Sequence, residues 1–303
     1  MKRRQEKRNV IVGNAIRPNA GIRAWYREKL LALTKEMTAT VRRKMARVYG
    51  KYEEQILPAK AAQDANISSR AAAELRKLQN EITKLYAEKA DQIAKGFVSK
   101  TEQYANRTVR ESVKGMVKQN PWVGISVNGS KMTPSMAAVM KAEIYNNVNY
   151  IKSIPAEYFQ KIAGAVFRNI AEGKSADEIE KALRYTGKIA QRRAELIARD
   201  QSQKAFESLS REHMKAAGIT HFEWVATGGG LYPRKLHHTH YTQGGLNHGI
   251  FSFDDPPVID EGYTPKTPRG TARPPQRGFP GDLPYCQCIK RPVLVLEKGQ
   301  ILA

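Results

Sequence analysis

Trp224-Val225-Ala226-Thr227-Gly228-Gly229-Gly230, then Arg234-Lys235-Leu236-His237-His238-Thr239-His240, then a long Pro/Gly-rich excursion that closes on Tyr285-Cys286-Gln287-Cys288: here a chain of helices gives way to something else. Between Trp224 and Arg291 lie four of the six histidines and both cysteines. Residues two apart on an extended backbone share a face, so Cys286 and Cys288 project side by side. That spacing sits at the edge of what a disulfide between the two allows. It suits two thiolates sharing one zinc ion, with imidazole nitrogen completing a tetrahedral shell. His237 and His240, three apart, supply that nitrogen if their segment makes one helical turn. The competing reading has two small buried cysteines and histidines lining a loop surface, and the interval from histidine to cysteine is far longer than in compact zinc fingers. The candidate ligands of a structural zinc are therefore His237, His240, Cys286 and Cys288.

Outward from this stretch, Ile219-Thr220-His221-Phe222-Glu223-Trp224-Val225 alternates and predicts a strand, as does the run from Ile289 to Leu296. Upstream the period is helical. Trp25, Leu30, Leu33, Met37, Val41 and Met45 recur at threes and fours up to Pro58. Leu75, Leu78, Ile82, Tyr86, Ile93, Phe97, Val109, Val113 and Val117 do so before Pro121. Two long helices with a short connection predict an antiparallel hairpin. Asn128-Gly129, flanked by Ile125 and Val127, suggests a small β-hairpin or an exposed loop. Thr133-Pro134 opens a further helix, and Ser153-Ile154-Pro155 restarts the chain. Ser175-Ala176-Asp177-Glu178 is a capping box heading a short helix that ends near Gly187. A longer helix then runs from about Ile189 to Gly218. The expected fold is α+β, mainly α. A basic flexible arm covers residues 1–20, a long helical hairpin 21–132 and a helical bundle 133–218. A small α+β region with the His/Cys cluster and a long Pro/Gly-rich loop covers 219–303.

Lys plus Arg number 51 against 29 for Asp plus Glu, a formal charge of +22 with pI about 10.0. Such an excess attracts polyanions, nucleic acid or an acidic protein surface, and is silent about fold. Lys2, Arg3, Arg4, Lys7 and Arg8 of the arm bind phosphate backbones or simply solubilise a terminus. No apolar run reaches the length needed to cross a bilayer. Val10-Ile11-Val12-Gly13-Asn14 is too short and polar for a signal-peptide core. With two cysteines, synthesis is expected in a reducing cytoplasm, the thiols free or metal-bound. Gly228-Gly229-Gly230 lacks the Gly-Lys-Ser/Thr of a phosphate-binding loop and reads as a turn. The enzymatic alternative is a metal-dependent nuclease using His237, His238, His240, Asn247 and His248 with Asp254 and Asp255. Against it, no general base has an orienting partner, and Asp254-Asp255-Pro256-Pro257 reads as a turn. A pure DNA-binding module has the charge but no recognition-helix motif.

The order of pieces carries a resemblance. Ser153-Ile154-Pro155, Gly173-Lys174-Ser175, the run Arg193-Ala194-Glu195-Leu196-Ile197-Ala198-Arg199-Asp200-Gln201, Gly218-Ile219 through Trp224, Arg234-Lys235-Leu236-His237, Gly249-Ile250-Phe251 and Tyr285-Cys286-Gln287-Cys288 follow one another. From about Ile151 to Leu294 this resembles the Mu F-like minor head protein family of tailed phages, the phage head morphogenesis domain. The resemblance implies a minor structural protein of the virion, made in the bacterial host cytoplasm and acting in head assembly at or near the portal vertex. The implied partners are the portal protein and other head proteins, with non-specific contact to packaged DNA, no membrane and no enzymatic activity. Carried over by position, the family's marked residues are Arg199, Asp200, Trp224, Arg234, His237, Gly249, Cys286 and Cys288. The chain departs from the pattern in the extra His238 and His240, in a longer spacer before Gly249 and in the Pro-rich insertion from Pro256 to Pro284. These departures leave open which histidine faces the cysteines.

Overall fold

A computed structural model of the protein describes residues 10–53, 60–121, 123, 125, 132–172, 174, 176–228, 233–263 and 272–296. In chain order the elements are β1 (Val10–Val12), α1 (Ala20–Glu53), α2 (Lys60–Gln119), α3 (Pro134–Ala171), α4 (Ala176–Ala216), β2 (His221–Val225), α5 (Lys235–His238), β3 (Ile250–Ser252), β4 (Val258–Asp260), β5 (Gln276–Arg277) and β6 (Ile289–Val295). The fold is α+β and mainly α, a helical bundle followed by a small sheet region, as the periodicity implies.

The chain forms two compact units, and α2, α3 and α4 each contribute to both. One comprises residues 21–97 and 142–199. Its four helical segments bury the stripes read from sequence: Leu30, Met37, Val41 and Met45 of α1, Leu78 and Tyr86 of α2, Ile154 and Ile162 of α3, Ala194 of α4. Tyr26 stacks on Phe97 with ring centroids 4.1 Å apart, and its hydroxyl donates to Asn147 Oδ1 at 2.8 Å. A buried phenol thus keeps its polar end satisfied.

Two helix ends expected in this unit are absent. Ser153-Ile154-Pro155 does not restart the chain, because α3 runs through Pro155. Ile151, Ile154, Tyr158, Phe159 and Ile162 are buried on both sides of it. Burial of that stripe outweighs the one backbone bond proline removes. Gly187 likewise ends nothing. A Cβ there would lie 3.4 Å from Thr38 Cβ, so this glycine marks close approach of α4 to α1. The capping serine, Ser175, lies outside the described residues, as does the Asn128-Gly129 turn.

The other unit comprises residues 1–20, 98–141 and 200–303. Its sheet has the order β1-β6-β2-β3, every neighbour antiparallel. In the central pair Trp224 lies opposite Lys290 and Val225 opposite Ile289. A flexible arm over residues 1–20 is not what the structure has from Val10 onward. Val10-Ile11-Val12 is the edge strand, Ile16 is 1% exposed, and Ser112 of α2 donates to Asn14 O at 2.9 Å. Three β-branched residues are too few to show alternation, but they cover the edge of β6. The Pro/Gly-rich excursion, expected as extended chain, is a ribbon at its base. There β4 pairs with β5, Tyr263 bridges Arg273, and Ile259 is buried.

Candidate metal centre

The sequence sets three side chains at one point of the second unit. His237 stands on α5, a single helical turn, while Cys286 and Cys288 immediately precede β6. His237 Nε2 lies 2.9 Å from Ile259 O of β4. A carbonyl only accepts, so Nε2 carries the hydrogen and Nδ1 presents a lone pair. That nitrogen is 3.5 Å from Cys286 Sγ and 3.8 Å from Cys288 Sγ. All three ligand atoms lie within 4.8 Å of one another, and the residues are 2%, 5% and 2% exposed. With zinc–sulfur bonds of about 2.3 Å and a zinc–nitrogen bond of about 2.0 Å, a tetrahedral ion separates its nitrogen and sulfur ligands by about 3.5 Å. The donor set and its spacing fit such an ion.

The surroundings favour thiolate. Gly281 offers its backbone N–H to Cys286, and Thr227 offers its own to Cys288. The buried Trp224 Nε1–H has no hydrogen-bond partner, and its nearness pulls on the Cys288 pKa in the thiolate direction. Donation from Cys288 pulls the Cys286 pKa down. As the donor of that shared proton, and being buried, Cys288 is pushed up. The pair therefore holds one proton and one negative charge, and a divalent cation would displace the proton. Trp224 packs edge-on against the His237 ring, centroids 4.9 Å apart, and fixes its plane.

His240 does not join the group. The helix of α5 ends at Lys235–His238, and Thr239 and His240 both lie on extended backbone, so the three-residue spacing never becomes a shared helical face. The His240 ring is exposed, with Nδ1 2.9 Å from Thr242 Oγ1 and its centroid 5.6 Å from that of His248. His248 instead reaches Glu223 Oε1 at 2.7 Å, and Asp255 pairs with Arg277. Among the described residues no second group of three or more His, Cys, Asp or Glu ligands converges, so the residues named for a nuclease do not assemble.

Residues 160–290 match the family model described as Phage Mu protein F like protein. Over these residues the chain is similar to the Mu F-like family. A Haemophilus influenzae protein, described as an uncharacterized protein, is 26% identical over 271 residues, which are 89% of this chain and 53% of that one. The chain thus spans about half the length of this curated relative. No solved structure matches.

Of the other residues carried over from the resemblance, Asp200, Arg234 and Gly249 lie in the same unit as the thiols. Asp200 accepts from the Tyr285 backbone at 2.8 Å, and Arg234 donates to Pro284 O at 3.2 Å. Gly249 bonds through its carbonyl to Trp224 N at 2.9 Å, and a Cβ there would lie 2.5 Å from the Phe251 ring. Arg199 is half-buried on α4. Sequence reasoning missed the group behind the cysteines. Lys290 is 0% exposed, its Nζ 2.5 Å from Glu207 Oε2 and 2.6 Å from Glu207 O, and Gln203 donates to Cys288 O at 2.8 Å. Burial pushes the Glu207 pKa up to about 7 and the Lys290 pKa down, while each pulls the other back toward charge. A lysine in a short strand carries no local sign that a helical glutamate 83 residues upstream will meet it.

Proposed function

We propose that this protein is a head morphogenesis protein of a tailed bacteriophage, incorporated in the virion at or near the portal vertex. Its His237–Cys286–Cys288 centre holds a structural zinc. The observation that carries this reading is that the Mu F-like match, residues 160–290, encloses all three converging ligands and the strands they join. A cation there closes the 49-residue span between His237 and Cys286, tying α5 to the start of β6. Closing such a span removes chain entropy from the unfolded state. Ligand atoms this buried serve cross-linking better than turnover, which supports an architectural role and no enzymatic activity. The partners are the portal protein and other head proteins.

Two measurements test the two halves. Metal analysis of the purified protein is expected to give one zinc per chain, lost in Cys288→Ser; wild-type protein without stoichiometric zinc ends the clasp. Co-expression with neighbouring head proteins is expected to yield a portal complex. Heads that assemble and package normally without this protein end the assembly role.

A specific observation favours DNA as a further contact. Arg107, Arg110, Lys114 and Lys118 of α2 recur at threes and fours, all exposed on one face that Glu111 alone interrupts. Such a stripe suits a phosphate backbone. Duplex affinity is expected to fall steeply with salt and further in Arg110→Glu/Lys114→Glu. Affinity indifferent to both would remove DNA from the partners.

A further inference from the structure

We infer that Asp200 and Arg234 are positioning residues of the metal centre, gripping one peptide group from both edges so that the thiol pair is set before the metal arrives. The inference rests on the metal-clasp reading above. Arg234 donates to the Pro284 carbonyl at 3.2 Å, and the Tyr285 N–H donates to Asp200 Oδ1 at 2.8 Å. That carbonyl and that N–H belong to the same planar unit, so the two side chains fix its orientation. The next backbone position needs fixing. Tyr285 has φ +59°, a left-handed conformation that side chains other than glycine adopt reluctantly. Cys286 follows directly, its N–H closing the turn onto Leu283 O at 3.1 Å. Without the grip, Tyr285 would relax to negative φ and swing Cys286 off His237.

Each half of the clamp is itself held. Asp200 Oδ2 lies 2.9 Å from Lys204 Nζ, one turn along α4, and 3.1 Å from Gln201 Nε2. Arg234 caps α5, and its carbonyl accepts from His237 N at 3.0 Å. One residue thus ties the imidazole-bearing turn to the thiol-bearing turn. Helix α4 continues the job: Asp200, Gln203 and Glu207, at i, i+3 and i+7 on one face, bond Tyr285 N, Cys288 O and Lys290 Nζ in order. A Cβ at Gly281 would lie 2.9 Å from Glu207 Cγ, so the loop that offers its N–H to Cys286 sits hard against the same face. Supporting contacts of this kind raise metal affinity by removing the ordering that binding would otherwise require.

The test uses the full chain, stripped of metal and titrated with Co²⁺, reading the thiolate-to-cobalt charge-transfer band. Iodoacetamide alkylation rates of the two thiols are followed in parallel without metal. Asp200→Ala is expected to weaken Co²⁺ binding by about ten- to a hundredfold and to speed alkylation. Asp200→Asn, which keeps an oxygen for the Tyr285 N–H, is expected to restore most of both. Arg234→Gln makes the same test from the carbonyl edge should Asp200→Ala not fold. Affinity and alkylation within twofold of wild type in Asp200→Ala and Arg234→Gln would overturn the clamp, as would Asp200→Asn as damaging as Asp200→Ala. If wild type binds no Co²⁺ through sulfur, the clasp fails, and the alkylation rates still decide the clamp.

Discussion

At the scale of single residues, the far side of the His237 ring decides what the near side can do. By giving Nε2–H to Ile259 O, the fold commits Nδ1 to the sulfurs. Position in sequence cannot tell His237 from His240, because the difference arises where α5 stops. The cysteines were legible, since alternation alone puts both on one face. Their anchors, Lys290 and Glu207, were not. Gly249 gives a direct check on the scaffold around Trp224. Gly249→Ala puts a methyl 2.5 Å from Phe251 and 2.7 Å from Tyr241, and is expected to cost about 1–3 kcal/mol in urea unfolding. A second residue sets an acid limit. His213 is 3% exposed with Nε2 3.2 Å from Glu102 Oε1, and burial pulls its pKa from 6.5 down to about 4. The unfolded chain takes up the proton near pH 6.5 and the folded chain only near pH 4. The histidine's contribution is therefore complete above pH 6.5, falls as pH drops, and is gone below 4. The expected difference is about 3 kcal/mol at most. Unfolding of wild type and His213→Leu at pH 7.5 and 4.5 measures it, and equal pH dependence in both would refute it.

At the scale of elements, local signals located the stripes well and the ends poorly. The apolar spacing of α1 and α2, and the strands β2 and β6, follow directly from the sequence. Proline and glycine misled, because their backbone effects are small beside the burial of a continuous stripe: α3 passes Pro155, and α4 passes Gly187 where it meets Thr38. The strand β1 was hidden by its brevity, yet its consequences are large. Val10, Ile11 and Val12 pair with Val295, Leu294 and Val293 of β6. A Cβ at Gly13 would lie within 2.8 Å of Ser112 Oγ, Met116 Sδ and Pro292 Cγ. Deleting residues 1–13 is expected to bare the edge of β6 and make the protein self-associate, seen by light scattering. A truncated chain that stays in the wild-type size class would contradict that role.

At the scale of the molecule, two units are assembled from segments far apart in sequence, so boundaries drawn along the chain at 132 and 218 do not coincide with compactness. Long helices serve both units, and no composition shift records the point of passage. The three candidate ligands, His237, Cys286 and Cys288, lie wholly in the unit of residues 1–20, 98–141 and 200–303. Chelation is accordingly expected to speed amide exchange in β2 and β6 while leaving the amides of Tyr26, Leu30 and Tyr86 in the helical unit protected. Loss of protection in both alike would argue against a local clasp. The most direct test of the central claim is X-ray absorption at the zinc edge on protein purified without added metal. The expected first shell has two sulfurs at about 2.3 Å and nitrogen at about 2.0 Å. A shell of oxygen and nitrogen alone, or no zinc, would contradict it.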